Sequence, residues 1–409
     1  MKIADLKGEK IGICVSGGLD SKTVAHKCID LGVDVLCFTA DLAQPDEKDI
    51  QQVAERMAAC GAETVIVDLK DAMAEACFET IKAQAKYDGG YWNSTGLARA
   101  VTVRGLLPEM QKHGCTVLAH GATGRGNDQI RFERYTNVLA PKMKVYAPWR
   151  DPDMLEQFPG RKEMAAYLTA AGIDAFLDDS KHYSTDANLA GLSYEAEDLE
   201  SLKTPCTIVE PQMGVWPSQA PDKMEVLTVR FCEGEAVAIN DTVATPLEVM
   251  HEANRIAGRN GIGIRSALEN RIIGTKSRGV YEAPGMELLG FCLSQIYQAT
   301  LNRAATRLLD SLSGVIARSV YDGRYFDPAK RAAVAAIHEL SRYANARIDV
   351  GLYKGNIYVQ ALSECSASLY NVEDSSMEAS EGLNPESSQG YVEVQGVEAK
   401  ALAHAGQIG

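Results

Sequence analysis

Four short apolar runs rich in β-branched residues, at 10–15, 33–39, 64–67 and 116–119, punctuate the first third of the chain. Longer stretches with helical spacing follow them, at 22–31, 46–60 and 71–84. In the second of these, Ile50, Val53, Ala54 and Met57 fall on one helix face. Strands alternating with helices predict a parallel sheet with right-handed crossovers, an α/β fold of the doubly wound kind.

The alternation breaks at the two prolines of Ala147-Pro148-Trp149-Arg150-Asp151-Pro152. One more helix is predicted over 161–171, and the text is then irregular through Trp216 and Pro221. Further on, 225–231 and 236–239 read as a hairpin, 245–258 and 286–318 as helical, and 347–353 with 356–361 as a second hairpin around Lys354-Gly355. This region reads as α+β. The tail from Asn371 is rich in Glu, Ser and Gly, with a late apolar stretch at 391–397, and predicts an appendage that packs on something else or stays mobile. The expected domains are 1–172, 173–370 and 371–409.

Composition narrows the functions this fold could serve. A length of 409 residues exceeds one ordinary core, and a net charge of -14 makes the average surface repel phosphate backbones, which argues against a nucleic-acid partner. No basic start joins an apolar run with a cleavage site, and no apolar segment reaches the ~20 residues that cross a bilayer, so the chain reads as cytoplasmic with no membrane partner. The ten cysteines, Cys14, Cys28, Cys60, Cys115, Cys232 and Cys292 among them, form no C-x-x-C pair and do not alternate with His at metal-ligand spacing. They read as reduced core residues.

The strongest local signal is the strand ending at Val15, then Ser16-Gly17-Gly18-Leu19-Asp20-Ser21-Lys22, then a helix. Glycine lets backbone N–H groups approach an anion, and the helix start adds partial positive charge and unsatisfied donors, so the loop suits phosphate. It is neither the G-x-x-x-x-G-K-[ST] loop nor the G-x-G-x-x-G fingerprint. Its spelling resembles the pyrophosphate loop of the N-type ATP pyrophosphatases, which leave AMP.

A second stretch, His120-Gly121-Ala122-Thr123-Gly124-Arg125-Gly126-Asn127-Asp128-Gln129-Ile130-Arg131-Phe132-Glu133, also follows a β-like run. Thr123, Asn127, Asp128 and Arg131 combine an alcohol, an amide, a carboxylate and a guanidinium on one glycine-flexed segment, which suits zwitterionic amino acids. From the residues alone, Arg131 with Glu133 could equally be a surface ion pair, and Thr123 or Asn127 could merely cap a turn. The segment with Glu269, Ser277, Arg278 and Tyr281 is too polar for a plain core strand and too poor in Gly and Pro for a plain loop.

With Pro148-Trp149-Arg150, Ser193-Tyr194-Glu195, Glu269-Asn270-Arg271 and Lys276-Ser277-Arg278-Gly279-Val280-Tyr281-Glu282, these stretches resemble the argininosuccinate synthases in order and spacing across nearly the whole chain. The resemblance implies an adenine nucleotide alpha hydrolase-like ATP-binding domain, a synthetase domain and a C-terminal oligomerisation tail. It implies a ligase that condenses citrulline with aspartate using ATP, through a citrullyl-adenylate, and releases AMP and pyrophosphate. Carried over position by position, it implies ATP contacts at Cys14, Val15, Ser16, Gly17, Gly18, Leu19, Asp20, Ser21, Lys22, Ala40 and Gly121, and aspartate contacts at Thr123, Asn127 and Asp128. Citrulline would meet Tyr91, Thr95, Asn127, Arg131, Ser184, Ser193, Glu269 and Tyr281, with Glu269 facing its ammonium, while Asp20 and Asp128 would be catalytic. Mg2+ is implied as the companion of ATP, and a homotetramer with exchanged C-terminal segments is implied too.

The chain departs from the family pattern in three places. Ser94-Thr95-Gly96-Leu97-Ala98-Arg99-Ala100 carries Gly96 where a serine is common, Ser21-Lys22 stands where Thr-Ser is common, and Val320-Tyr321-Asp322-Gly323-Arg324-Tyr325 differs from the usual aromatic-rich version. Two alternatives follow: a relative that adenylates another ureido or amide compound, and a nucleotide-binding relative without turnover.

Overall fold

Lys10–Cys14 (β1) has its three central residues buried and lies in the middle of a five-stranded sheet. Asp34–Asp41 (β2), Thr64–Asp68 (β3), Val117–His120 (β4) and Lys144–Tyr146 (β5) complete it in the order β3-β2-β1-β4-β5, every pair parallel. The order turns back between β1 and β4, which leaves a crevice at the carboxyl ends of those strands. The computed structural model describes residues 1–175, 183–377, 382 and 384–407.

The helices of this region are Leu19–Asp30 (α1), Gln51–Ala58 (α2), Lys70–Lys82 (α3), Ser94–Lys112 (α4), Asp128–Leu139 (α5), Pro152–Gln157 (α6) and Arg161–Ala170 (α7). Two differ from the periodicity. α1 starts three residues early, inside the anion loop, because Gly18 in an extended conformation lets Lys22 N–H bond back to its carbonyl. α2 loses its predicted first turn because the Asp49 carboxylate takes the Gln51 N–H at 3.0 Å, a local bond that competes with helix.

Ser184–Asn188 (β6) and Gly191–Glu195 (β7) lie in the stretch whose pattern looked irregular. Then come Glu225–Cys232 (β8), Glu235–Ile239 (β9), Thr242–Val243 (β10), Pro246–Arg259 (α8), Ile264–Asn270 (β11), Lys276–Glu282 (β12), Pro284–Thr300 (α9), Arg303–Tyr321 (α10), Pro328–Ser341 (α11), Ala346–Tyr353 (β13) and Asn356–Ser363 (β14). They form two antiparallel sheets, β11-β12-β7-β6 and β10-β9-β8-β13-β14. The helical stretch 286–318 is in fact two helices: the Asn302 side chain accepts the Ala305 N–H at 2.9 Å and starts a new one.

One apolar core joins the layers. Met73, Phe78 and Ile81 of α3 meet Val249 and Met250 of α8 and Leu289 and Leu293 of α9, all at most 2 % exposed, and each such side chain contributes about 1.5–3 kcal/mol. Residues Met1–Ser366 form one compact unit and Ala367–Gly409 a second. The second unit contains Val372–Ser375 (α12) and Ser387–His404 (α13), and its apolar stretch is the middle of α13.

The sheet of β6, β7, β12 and β11 positions the chemistry. Side chains alternate along a strand, so one face carries Ala187, Leu192, Tyr194 and Val280 into an apolar cluster. The other carries polar rows: Asp186 opposite Ser193 opposite Tyr281, then Ser184 opposite Glu195 opposite Gly279, then Ser277 opposite Glu269.

Candidate active site

A cavity of about 450 Å³ opens at the carboxyl ends of β1, β2 and β4. Of the residues expected at the nucleotide, Cys14, Val15, Ser16, Asp20, Ser21, Ala40 and Gly121 line it. The Ser21 hydroxyl accepts the Ser16 N–H at 3.1 Å and tightens the loop. Gly17 takes φ +73°, a left-handed conformation that favours glycine, with the mobile Arg56 guanidinium next to it. Leu19, Asp20 and Ser21, as the first turn of α1, have no helical acceptor behind their N–H groups, the usual condition for anion binding.

Gly17, Gly18, Leu19 and Lys22 shape this loop without lining the cavity, and Lys22 turns its ammonium to the Asp174 carbonyl at 2.8 Å. Asp20 stands against Gly121, and burial, opposed by Arg161, pushes its carboxyl above the ordinary value. Burial pushes the Cys14 thiol up to about 12, which leaves it unreactive. His120, at the end of β4, is driven down to about 4 first by burial and then by Arg150, and stacks on Phe132 as a neutral ring.

The Asp128 carboxylate is the meeting point of the site. It lines the cavity with Thr123, accepts Arg99 Nε at 2.9 Å on one oxygen and is reached by Arg131 at 2.8 Å on the other. Arg99 also reaches Asp186. Burial alone would raise the Asp128 pKa, but the two guanidiniums outweigh it and hold the carboxyl below the usual range. Arg131 is thus no surface residue: it is buried at 3 % exposure and its Nε donates to the Tyr321 carbonyl at 2.9 Å.

Beyond Asp128 lies a polar and aromatic cluster. Buried Glu269 accepts the hydroxyls of Tyr91 and, at 2.6 Å, of Tyr321. Tyr91 stacks on Tyr281 at 3.9 Å and Tyr87 on Tyr321 at 3.7 Å. Asn127 donates to the Tyr321 hydroxyl at 2.8 Å and accepts the Ile272 N–H at 3.0 Å, so its amide is fixed rather than a free turn cap. Thr95 and Ser193 share a hydrogen bond of 3.3 Å, and Ser184 stands exposed at the edge of the same sheet face.

The structure therefore brings two sets of predicted residues to one place, phosphate-type donors on one side and amino-acid-type groups on the other. It adds Arg99, Asp186, Glu195, Tyr87 and Tyr321, which the sequence reading did not assign. One signal was available for Arg99: on a helix it shares a face with Thr95 four residues before it. Gly96 lies under the cap of α4, with its N–H bonded to Asn93 Oδ1 at 3.0 Å, and a Cβ there would meet the Asn93 amide at 2.5 Å. Among the described residues no group of three or more His, Cys, Asp or Glu could hold a metal ion, and no helix is long and apolar enough to cross a membrane.

Comparison with known proteins places the whole chain in a family. Residues 10–174 match the family model of the arginosuccinate synthase N-terminal HUP domain, and residues 183–402 that of the arginosuccinate synthase C-terminal domain. An argininosuccinate synthase of Rhodopirellula baltica is 36% identical over 388 residues, which cover 94% of this chain and 96% of that protein. With two family models together spanning most of its length and a full-length relative at this identity, the chain belongs to the argininosuccinate synthase family of ligases.

Proposed function

We propose that this chain condenses citrulline with aspartate at the expense of ATP, giving argininosuccinate, AMP and pyrophosphate. The observation that supports it most is Asp128, through which the anion-loop cavity and the amino-acid cluster become one site.

In this reading Ser16, Asp20 and Ser21 with the start of α1 surround the phosphates, and Ala40 and Gly121 border the adenosine. The ureido oxygen of citrulline is a weak nucleophile, so its attack on the α-phosphorus depends on alignment and on neutralising phosphate charge. Tyr91, Thr95, Asn127, Arg131, Ser184, Ser193, Glu269 and Tyr281 hold citrulline, with Glu269 taking its ammonium. Thr123, Asn127 and Asp128 hold aspartate, whose amine then attacks the activated carbon and expels AMP. Asp20 lines the cavity at the anion loop, and no group of three or more His, Cys, Asp or Glu among the described residues forms a metal cage there, a donor set that fits Mg2+ bound mainly by phosphate oxygens and water. Such an ion supplies charge neutralisation on the phosphates.

The test is AMP formation from ATP and aspartate with and without citrulline, with the condensed product identified by mass spectrometry. Citrulline-dependent AMP with argininosuccinate is the expected result. AMP only with another ureido compound would move the substrate, and Gly96 under its Asn93 cap is the feature that such a change would trace to. Tight ATP binding without AMP release would leave a binding protein.

The tail is proposed to build a cytoplasmic homotetramer. α13 exposes Tyr391, Val392, Val394 and Val397 at 64–70 %, more apolar surface than one helix of a monomer usually shows. Size-exclusion chromatography of the chain ended at Tyr370 should show a smaller assembly than the full chain, and an unchanged assembly would sink the idea.

A further inference from the structure

Glu195 occupies the middle row of the polar sheet face, with Ser184 opposite it on one side and Gly279 on the other. These neighbours are too short to cover its carboxyl. The Tyr281 ring leans back along β12 until its hydroxyl lies over Gly279, 2.5 Å from where a Cβ would stand. That hydroxyl is buried beside the Tyr91 hydroxyl, and Tyr281 as a whole is 4 % exposed. Among the described residues no hydrogen bond or ion pair engages the Glu195 carboxyl, which bears on the Tyr281 hydroxyl on the face where the amino-acid residues gather.

The groups facing Glu195 are Glu269 from β11, Asp186 from β6, Asp128 from α5 and Arg271 just after β11, while Arg99 of α4 is engaged by Asp128 and Asp186. Burial first, then Glu269 and Asp128, push the carboxyl up to about 7, with Arg271 opposing. The carboxylates around it are committed otherwise: Asp128 is locked by two guanidiniums, and Glu269 by two tyrosine hydroxyls.

We propose that Glu195, beside the Tyr281 hydroxyl, takes the proton that the aspartate amine must lose before it attacks, a proposal that rests on the ligase reading above. The amine arrives as an ammonium and has no lone pair to give. One N–H proton passes to the Glu195 carboxylate and frees the pair. The nitrogen then bonds to the ureido carbon, and the carbon–oxygen bond to the adenylate breaks with its electrons leaving on the phosphate of AMP. The second amine proton ends on the isourea nitrogen, which makes the guanidinium of the product. Glu195 returns its proton to water.

Two half-reactions separate this role from a structural one. The exchange of labelled pyrophosphate into ATP, dependent on citrulline and run without aspartate, reads adenylation alone. In the unmodified chain, ligation should rise with pH through about 7 as Glu195 ionises. Glu195→Gln should cut ligation about 100-fold and remove that rise, with exchange kept close to the unmodified level. Glu195→Asp, which keeps a carboxylate, should retain the rise at an intermediate rate. Equal losses of exchange and ligation in both variants, or normal ligation in Glu195→Gln, would overturn the proposal. No citrulline-dependent exchange in the unmodified chain would instead sink the ligase reading, and this proposal with it.

Discussion

Asp128→Asn is expected to lower ligation more than about 1000-fold and to destabilise the fold by about 3 kcal/mol, the low end of the range for removing one charge from a buried ionic network, since the Asp128 and Arg99 side chains are 22% and 19% exposed. The asparagine carbonyl could still accept from one guanidinium, but its NH2 would face the other. Arg131, 3 % exposed, would then be buried with its charge uncompensated, and Arg99 would keep only Asp186. Turnover should fall further than stability explains, because the same side chain lies between the cavity and the amino-acid cluster. Urea unfolding beside steady-state kinetics measures both, and a change under about 1 kcal/mol with normal turnover would refute the role given to this carboxylate. The pH dependence has a definite sign. The folded pKa of Asp128 is depressed, so its contribution is present above the unfolded value of about 4 and is lost as pH falls through the folded one.

Glu269→Gln should leave the fold nearly intact and lower kcat/KM for citrulline about 1000-fold, chiefly through KM, because the loss of one partner of a buried charge pair costs about 2–5 kcal/mol. The amide still offers an oxygen to one of Tyr91 and Tyr321. It cannot offer a negative charge to an ammonium. Titration of initial rates with citrulline at saturating ATP and aspartate gives the number. An unchanged KM would mean that the ammonium is held elsewhere, with the half-buried Glu195 a remaining carboxylate on that face.

Alternating apolar runs made the parallel sheet legible, because a strand buried on both faces has to be apolar along its length. The same rule hid β6 and β7. Their polar residues, Asp186, Ser193 and Glu195, are half of a two-faced sheet whose other half, Leu192 and Tyr194, offers too few apolar positions to stand out. The anion loop was legible for a local reason: strand, glycine turn and helix start are consecutive in sequence, and the donors belong to the backbone.

What the sequence determined by itself was chemistry that neighbouring residues build together: the loop 16–22, the strands and helices around it, and the family through motifs kept in order. Only the tertiary structure decided which side chains neutralise one another. Arg99 reaches Asp128 across 29 residues and Asp186 across 87, Tyr91 meets Glu269 across 178, and Asn127 meets Tyr321 across 194. Contacts between charged and hydroxyl groups so far apart leave no period in the sequence, since each residue type alone is equally at home on a solvated surface. Burial turns them into a site: with water excluded, a carboxylate is held low by two guanidiniums or driven up by other carboxylates, and folding alone assigns Asp128 the first condition and Glu195 the second.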